Sequence, residues 1–382
     1  MPSYLFLVIL GALAALGGGG GGSSSSGGSA SGRVDDTDDT PAAPDAPTAA
    51  GNTPPAPAAN NGTPITVVET PSDTPNLPAS EYDIGWPGLS AEEQLTVELV
   101  NRARLDPLGE LGRQDDGFAA GVTTASKEAL AVVQSLSDAS DAHSQDMDNR
   151  DFFAHTNLNG ETPSDRAIEA GHGSRFVGEN IGWIGSTRTT FDEQARVQSH
   201  HDNLWDSDGH QQNFMSNNWS EIGVGYYYGD YRGYEGSTFV TEMFGDRGET
   251  YLTGVVIDDK DDDQFYDIGE GQGGVKITAY DGDEAYGTAT WDSGGYTLAL
   301  PAGTYRVVFE GGDLDAAYET EVTIGNENVK LDLIDDGGAA VASVSAGAVP
   351  EPALIPMVDK IANESLVSIE ALEDEDGMTT IF

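Results

Sequence analysis

The apolar residues of this chain change their spacing twice, and each change limits what the surrounding segment can become. Between Gly17 and about Pro78 large aliphatic and aromatic side chains are almost absent, and Gly, Ser, Pro, Thr, Ala and Asp fill the sequence. Such a stretch buries too little to offset the entropy of ordering it, so it reads as a disordered tether. From Leu95 to Trp205 apolar residues return at helical intervals, and from Ile222 onward they alternate with small or polar ones. Period 3.6 calls for helices buried on one face, and period 2 calls for sheet. The order predicts an α+β domain followed by an all-β sandwich.

Local signals place the elements. Ser90 and Glu93 form a capping box ahead of Leu95, Leu99, Val100 and Ala103, with Pro107 as the stop. Further helices are expected over about Asp138 to Arg150, over Pro163 to Ala170 before Gly171, and from Thr190 to Trp205, where Thr190 and Glu193 suit a second capping box. Two antiparallel strands follow, around Ile222 to Tyr226 and Phe239 to Met243, joined through Gly229 to Gly236. After Gly245 seven strands are expected, over Leu252–Ile257, Val275–Tyr280, Gly287–Trp291, Tyr296–Leu300, Tyr305–Phe309, Glu319–Ile324 and Val329–Ile334. Turn signals such as Asp281-Gly282 and Gly294-Gly295 separate them. The segmentation is 1–16, signal-peptide-like; 17–85, linker; 86–247, the mixed domain; 250–336, the sandwich; and 337–382, an acidic tail.

Of 382 residues 17 are basic and 65 acidic, a formal charge of −48. That charge repels nucleic acid phosphates and anionic headgroups, so nucleic acid is not an expected partner and cations are. Cysteine is absent, which removes disulfides, thiolate metal sites and cysteine nucleophiles. Leu5 to Leu16 is an apolar run of signal-peptide length, too short to span about 30 Å of hydrocarbon, so no transmembrane span is expected. No Lys or Arg precedes that run. The expected location is extracytoplasmic, secreted or attached to the cell envelope. Oligomeric state has no sequence signal.

Three polar residues stand out by their setting. His155 follows Phe152, Phe153 and Ala154; Glu179 lies in Gly-Glu-Asn-Ile; and His210 closes Trp-Asp-Ser-Asp-Gly-His. Each sits beside turn residues and apolar anchors, as when a rigid scaffold aims a side chain into a cleft. Two imidazoles near a carboxylate can hold Zn²⁺ or another divalent ion with positions left for water, or serve as base and orienter. They can equally form a buried polar network that pins three loops. Ser207 lacks the Gly-x-Ser-x-Gly elbow of a hydrolase nucleophile. Trp183, Trp205, Phe214 and Trp219 read as core, and His143 as a packed or half-exposed helix residue. His200 and His201 cannot both face one way.

In order, the strings around His155, Glu179 and His210, with Glu221-Ile-Gly-Val-Gly-Tyr226, resemble the CAP superfamily, whose bacterial members include cysteine-free proteins, over about Leu89 to Phe244. The resemblance implies an α-β-α sandwich with a cleft of two histidines and two glutamates that sometimes binds metal. His155 matches the first histidine, Glu179 the first glutamate and His210 the second histidine. The second glutamate has no counterpart, since the chain offers Gln198, Ser199, His200, His201 and Asp202 there.

Asp259, Asp261, Asp263, Phe265, Asp267 and Glu270 reproduce the oxygen spacing of a twelve-residue calcium loop, with Phe265 offering its carbonyl. Gln264 stands where glycine normally permits the turn. With Tyr251 to Asp335 around it, the loop resembles calcium-binding B-type repeats of bacterial surface adhesins and carboxypeptidase-regulatory-like sandwiches, which implies a spacer stiffened by Ca²⁺. The functional expectation is an exported binding protein whose cleft holds a metal ion, lipid, peptide or envelope component. Its rivals are a metal-assisted extracellular hydrolase using the same cleft and a structural envelope protein.

Overall fold

Ser90 sets the start of the first long helix. In the computed structural model of the protein, which describes residues 77–114 and 117–335 and the strand segments 66–68, 341–346, 372–373 and 379–381, the Ser90 hydroxyl accepts from the Glu93 amide. The Glu93 carboxylate accepts in turn from the Ser90 amide, completing the expected box. The leader-like segment 1–16 and most of the stretch read as tether lie outside the described residues.

Strand β1 (Thr66–Val68) comes first, then helices α1 (Ala91–Leu105) and α2 (Pro107–Arg113), strand β2 (Ala131–Val132), helix α3 (Gln134–Asn149) and helix α4 (Pro163–Glu169). Strand β3 (Val177–Gly185) precedes helices α5 (Glu193–Trp205) and α6 (Asp208–Phe214), and the hairpin of β4 (Glu221–Tyr231) and β5 (Tyr234–Gly245) closes the mixed part. Strands β6 (Tyr251–Asp258), β7 (Val275–Asp281), β8 (Glu284–Ala289), β9 (Gly295–Ala299), β10 (Gly303–Gly311), β11 (Ala317–Ile324) and β12 (Val329–Asp335) follow. β13 (Val341–Ala346), β14 (Leu372–Glu373) and β15 (Thr379–Ile381) are last.

One sheet has the order β14-β15-β3-β5-β4-β2, with β2 parallel to β4. Its two faces are sorted by the pleat. Ile222 and Val224 of β4 join Val97, Val100 and Ala103 of α1 and Leu204 and Trp205 of α5 in one apolar cluster. Gly223 and Gly225 point the other way, and a Cβ on either would run into the α3 backbone. Ser140 and Ser144 of α3 therefore lie close enough to donate to the Gly223 and Gly225 carbonyls, at 3.2 and 2.9 Å. The Gly-Val-Gly string is a close-approach device, and α3 meets it with its own small residues.

The other two sheets, β1-β11-β10-β7-β8 and β13-β12-β6-β9, share a cluster that includes Leu252, Val275, Tyr296, Val307, Val322 and Leu331. Alternation along β12 then decides what lies behind the four-stranded sheet. Leu331 and Leu333 enter that shared core, whereas Lys330 and Ile334 turn toward α1. Val255 and Ile257 of β6 do the same, meeting Leu95 and Leu99 of α1 and Val197 of α5. The molecule is thus layered sheet, sheet, helices α1 and α5, sheet, helix α3. Residues 93–104 of α1 are all buried, because both sides of the helix are covered.

Buried polar groups on α1 are matched. Gln94 donates to Glu98 at 2.9 Å and accepts from the Trp291 indole at 3.0 Å. Glu98 pairs with Lys330 at 2.8 Å. Arg104, wholly buried, donates to the carbonyls of Glu128, Phe214, Ser216 and Trp219.

Several boundaries differ from the sequence expectations. The helix expected from Asp138 begins at Gln134, with no side-chain cap, because β2 ends there and the Val133 amide still bonds to Ile222. The α5 cap is Asp192, which accepts from Ala195, and not Thr190. Pro107 opens α2 as its first residue, capped by Asp106. β4 and β5 run on to a two-residue turn at Arg232 and Gly233, both at positive φ, in place of the expected open loop. Ordered contacts begin before Trp86, since the Tyr82 hydroxyl meets Thr278 at 2.8 Å. The stretch read as tail contributes β13 to β15, whose pairing uses free sheet edges, a property no period announces. All seven strands expected after Gly245 are present, the third displaced to Glu284–Ala289.

Candidate functional site

Glu179 is the third residue of β3 and points to the α3 face, where α4 and the loop after α3 converge on it. Phe152, buried against Trp183 and Phe239, fixes that loop and sets His155 beside the strand. The His155 ring meets Glu179 through Nδ1 at 2.8 Å from Oε1, and Arg166 of α4 takes the other oxygen, Oε2, as an ion pair. Arg166 also donates through Nη1 to the His155 carbonyl at 2.9 Å and the Glu161 carbonyl at 3.1 Å. One guanidinium therefore holds both the carboxylate and the loop that carries the imidazole.

An ionised carboxylate can only accept, so Nδ1 of His155 donates to Glu179 and Nε2 is the ring nitrogen turned away from it. Burial alone would raise Glu179, but the His155 hydrogen bond and the Arg166 charge outweigh it and the carboxyl lies below its ordinary range. His143 of α3 is fully buried beside this group, and burial pushes it down to about 4. Its Nε2 faces the Ala154 carbonyl at 3.1 Å, which leaves Nδ1 as a bare acceptor without a partner.

His210, on α6, approaches from the opposite face of β3. Asn180 donates to the His210 carbonyl at 3.3 Å, and Asn213 donates to the Glu179 carbonyl at 3.0 Å, so two asparagines stitch α6 to the strand. Burial, and to a lesser degree the nearby His155, pushes His210 down to about 4, and its Nδ1 is buried without a partner. Both Glu179 oxygens are engaged, Oε1 by His155 and Oε2 by Arg166, so the carboxylate holds the His155 ring in place.

His200 and His201 turn to opposite sides. His200 meets Thr238 at 2.8 Å, and His201 meets the buried Glu110 at 3.0 Å, beside Arg102. Neither bonds to the His155–Glu179 pair. Of their neighbours, Gln198 and Asp202 bond to each other at 2.7 Å. A second buried carboxylate does exist nearby, on β5: Glu242 accepts from Asn180 at 3.0 Å, leaves Oε1 unpartnered, and is pushed up to about 7 by burial. The sequence reading missed Glu242, Arg166, Asn180 and Asn213. For Arg166 one signal existed: basic residues are scarce in this chain.

In the acidic loop, Asp259, Asp261 and Asp263 bring oxygens within 4.8 Å of one another, a group of three among the described residues that could share one ion. Gln264 adopts φ 63° and Asp262 φ 64°, so the left-handed turn forms without glycine. The Asp267 and Glu270 carboxylates are turned inward: Glu270 accepts from the amides of Lys260 and Asp267, and Asp267 accepts from Gln194 of α5. Phe265 lies under the Arg102 guanidinium, 5.0 Å from its ring centre. Burial and then mutual repulsion push Asp267 up to about 6; burial first, then neighbouring carboxylates, push Glu270 up to about 7.

Residues 97–244 match the CAP model, described as the cysteine-rich secretory protein family, a span that covers most of α1 through β5. Among solved structures the chain is similar to an extracellular protein containing a SCP domain from Bacillus anthracis str. Ames, at 22% identity and TM-score 0.28, covering 41% of this chain and 40% of that one. It is also similar to an outer surface protein from Borrelia burgdorferi, at 12% identity and TM-score 0.28, covering 41% and 92%. BmVAL-1 is similar at 11% identity and TM-score 0.26, covering 42% and 80%. The chain thus spans well under half the length of the Bacillus protein. No curated protein sequence matches it. No helix among the described residues is long and apolar enough to cross a membrane.

Proposed function

We propose that the CAP domain of residues 97–244 acts outside the cytoplasm as a binding module that holds a divalent cation through His155 and His210. The observation that carries this reading is the fixed His155 ring: its Nδ1 is bonded to Glu179, which is itself held by Arg166. Histidine ligands are commonly oriented this way by a carboxylate behind them. His210, kept neutral because burial pushes it down to about 4, supplies a second imidazole. When bound, the ion would supply a Lewis-acidic centre for a further ligand such as a peptide carboxylate or lipid headgroup. Its test is zinc titration of the whole chain by calorimetry. One zinc per chain is expected, with affinity falling about tenfold or more in His155→Ala and in His210→Ala, a loss of about 1.4 kcal/mol or more. Unchanged binding in both variants rejects the reading.

The acidic loop is a second, separate cation site in this proposal, with Ca²⁺ on Asp259, Asp261 and Asp263. The raised Asp267 and Glu270 support it, since a cation relieves the repulsion that a proton relieves at low pH. Because Gln194 and Arg102 fasten the loop to α5 and α1, calcium there would brace the seam between the sheets and the CAP domain.

A further inference from the structure

His172 is placed by the way α4 ends. Gly171 follows the helix at φ 90°, the Gly171 and His172 amides bond back to the Ile168 and Ala167 carbonyls, and Gly173 turns again at φ 83°. This is a Schellman end, and it fixes the backbone on both sides of one imidazole. The ring lies against Gly245 of β5, where a Cβ would come within 2.6 Å of its Nε2. Nδ1 meets the Ser135 hydroxyl of α3 at 3.4 Å, and Nε2 faces Oε2 of Glu221, the first residue of β4, at 3.5 Å. A hydroxyl, an imidazole and a carboxylate set side by side in that order form the arrangement that activates a serine.

Each member is left in the condition its part requires. Glu221 is fully buried; its Oε1 takes Arg247 at 2.7 Å and Tyr251 at 2.6 Å, while Oε2 has no hydrogen-bond partner and faces the ring. His172 is also buried. Burial holds it below the ordinary histidine value against the opposing Glu221 charge, with Arg247 adding to the lowering, so the ring is neutral at pH 7. The carboxylate favours the ring's proton on Nε2, which leaves Nδ1 to accept from Ser135. Ser135 is half-buried, and Gln134, Asp138, Gly171 and Gly173 around it in sequence are exposed, so the hydroxyl lies at the surface above two buried partners.

Ser135 is the second residue of a helix with no side-chain cap and no acidic residue in its first turn. Leu136 and Ser137 both bond to the Val133 carbonyl, so the Gln134 and Ser135 amides precede the bonding within α3. Those N–H groups and the positive end of the helix dipole suit the oxygen anion formed when a hydroxyl adds to a carbonyl. Asp138, one turn farther along α3, disfavours an anionic substrate.

We infer that Ser135, His172 and Glu221 form a second functional site, a serine esterase acting on neutral carboxylic esters. The Ser135 oxygen adds to the ester carbonyl carbon while its proton passes to Nδ1 of His172. The carbon–oxygen bond to the alcohol then breaks, that oxygen takes the proton, and the acyl group stays on Ser135. Water, giving a proton to the same Nδ1, releases the acid and restores the hydroxyl. Glu221 acts through the ring as a positioning residue. Spacings of 3.4 and 3.5 Å are those of an unliganded site, whose contacts tighten when substrate is bound. None of these residues belongs to the His155 and His210 reading, so either can fail alone.

The test is hydrolysis of p-nitrophenyl acetate by the whole chain in EDTA, with fluorophosphonate labelling located by peptide mass spectrometry. EDTA removes any contribution of a metal at the other site. The label is expected on Ser135, and Ser135→Ala should lower kcat/KM about 100-fold or more with an unchanged melting midpoint. The wild-type rate should rise with pH through one ionisation below about 6.5, that of His172. Glu221→Gln should move this rise to lower pH, because it removes the charge that favours the protonated ring, whereas a merely structural Glu221 would leave the profile in place. Three results overturn the inference: wild-type hydrolysis no faster than that of Ser135→Ala, fluorophosphonate absent from Ser135, or a pH profile unmoved in a folded Glu221→Gln.

Discussion

Arg166 is the residue on which the cleft turns. It is buried, it pairs with buried Glu179, and it holds the His155 carbonyl, so its loss strands a carboxylate in a dry setting. Arg166→Gln is expected to cost about 3–5 kcal/mol, read by urea denaturation at neutral pH. The pH dependence has a definite sign. Glu179 titrates below its ordinary range in the folded protein, so its pairing stabilises the fold above that ordinary range, about 4.3, and this contribution fades as pH falls toward the folded value. The difference between wild type and Arg166→Gln should therefore narrow on acidification, as the stranded carboxylate takes a proton. A constant difference between pH 7 and pH 4 would contradict this. His155 and Glu179 were legible in sequence because turn residues and aromatic anchors announce a positioned polar group. Arg166 was not, because a buried cation on a short helix and a surface one are spelled alike. Glu242 was hidden for another reason: in an alternating strand one polar residue on the core face looks like a residue on the outer face.

Elements behave according to what covers them. α1 is enclosed between two sheets, and its seam with β12 carries a buried cation, Lys330, between Glu98 and Asp332. Lys330→Met leaves two carboxylates with no counterion and should cost about 3–5 kcal/mol by denaturant melt. Adding Glu98→Gln should recover part of that loss, because Glu98 is already pushed upward by burial. On the other side of the mixed sheet, Gly225→Ala places a methyl in the α3 backbone and should cost about 1–3 kcal/mol or more, in the same measurement. The sequence signals for α1, for the β4–β5 hairpin and for the seven later strands were strong, since caps, periods and Gly-containing turns are local. The start of α3 and the pairing of β1 and β13 depend on partners far along the chain, and no window of residues contains them. The same is true of α1: its spacing predicts one buried face, whereas the second is created by Leu95, Leu99 and Gln94 meeting strands more than 150 residues later.

At the scale of the molecule, the two-sheet part is not suspended on a linker. It shares Leu95, Leu99, Val197, Val255, Ile257 and Ile334 with the helices in one cluster, and Asn328 donates to the carbonyls of Ala129 and Ser220. A single thermal transition is expected over residues 77–335, and calcium should move all of it. At ten times its Kd, calcium adds about 1.4 kcal/mol, or about 3–6 °C in the midpoint for a unit of this size. That gain should shrink below pH 6, since Asp267 and Glu270 are pushed up to about 6 and 7 and protons then compete with the cation. Two separate transitions, with calcium shifting one alone, would show that the seam does not couple the parts.

The covering of α1 by β12 also has a consequence for biogenesis. The helix lies near residue 100 and its roof, β6 and β12, near residues 255 and 330, so a growing chain carries an uncovered Leu95 and Leu99 until well over half of the polypeptide exists. Any truncation before β6 leaves the same bare helix face, and such fragments should be digested quickly by protease and aggregate, however completely their own strands and helices can form.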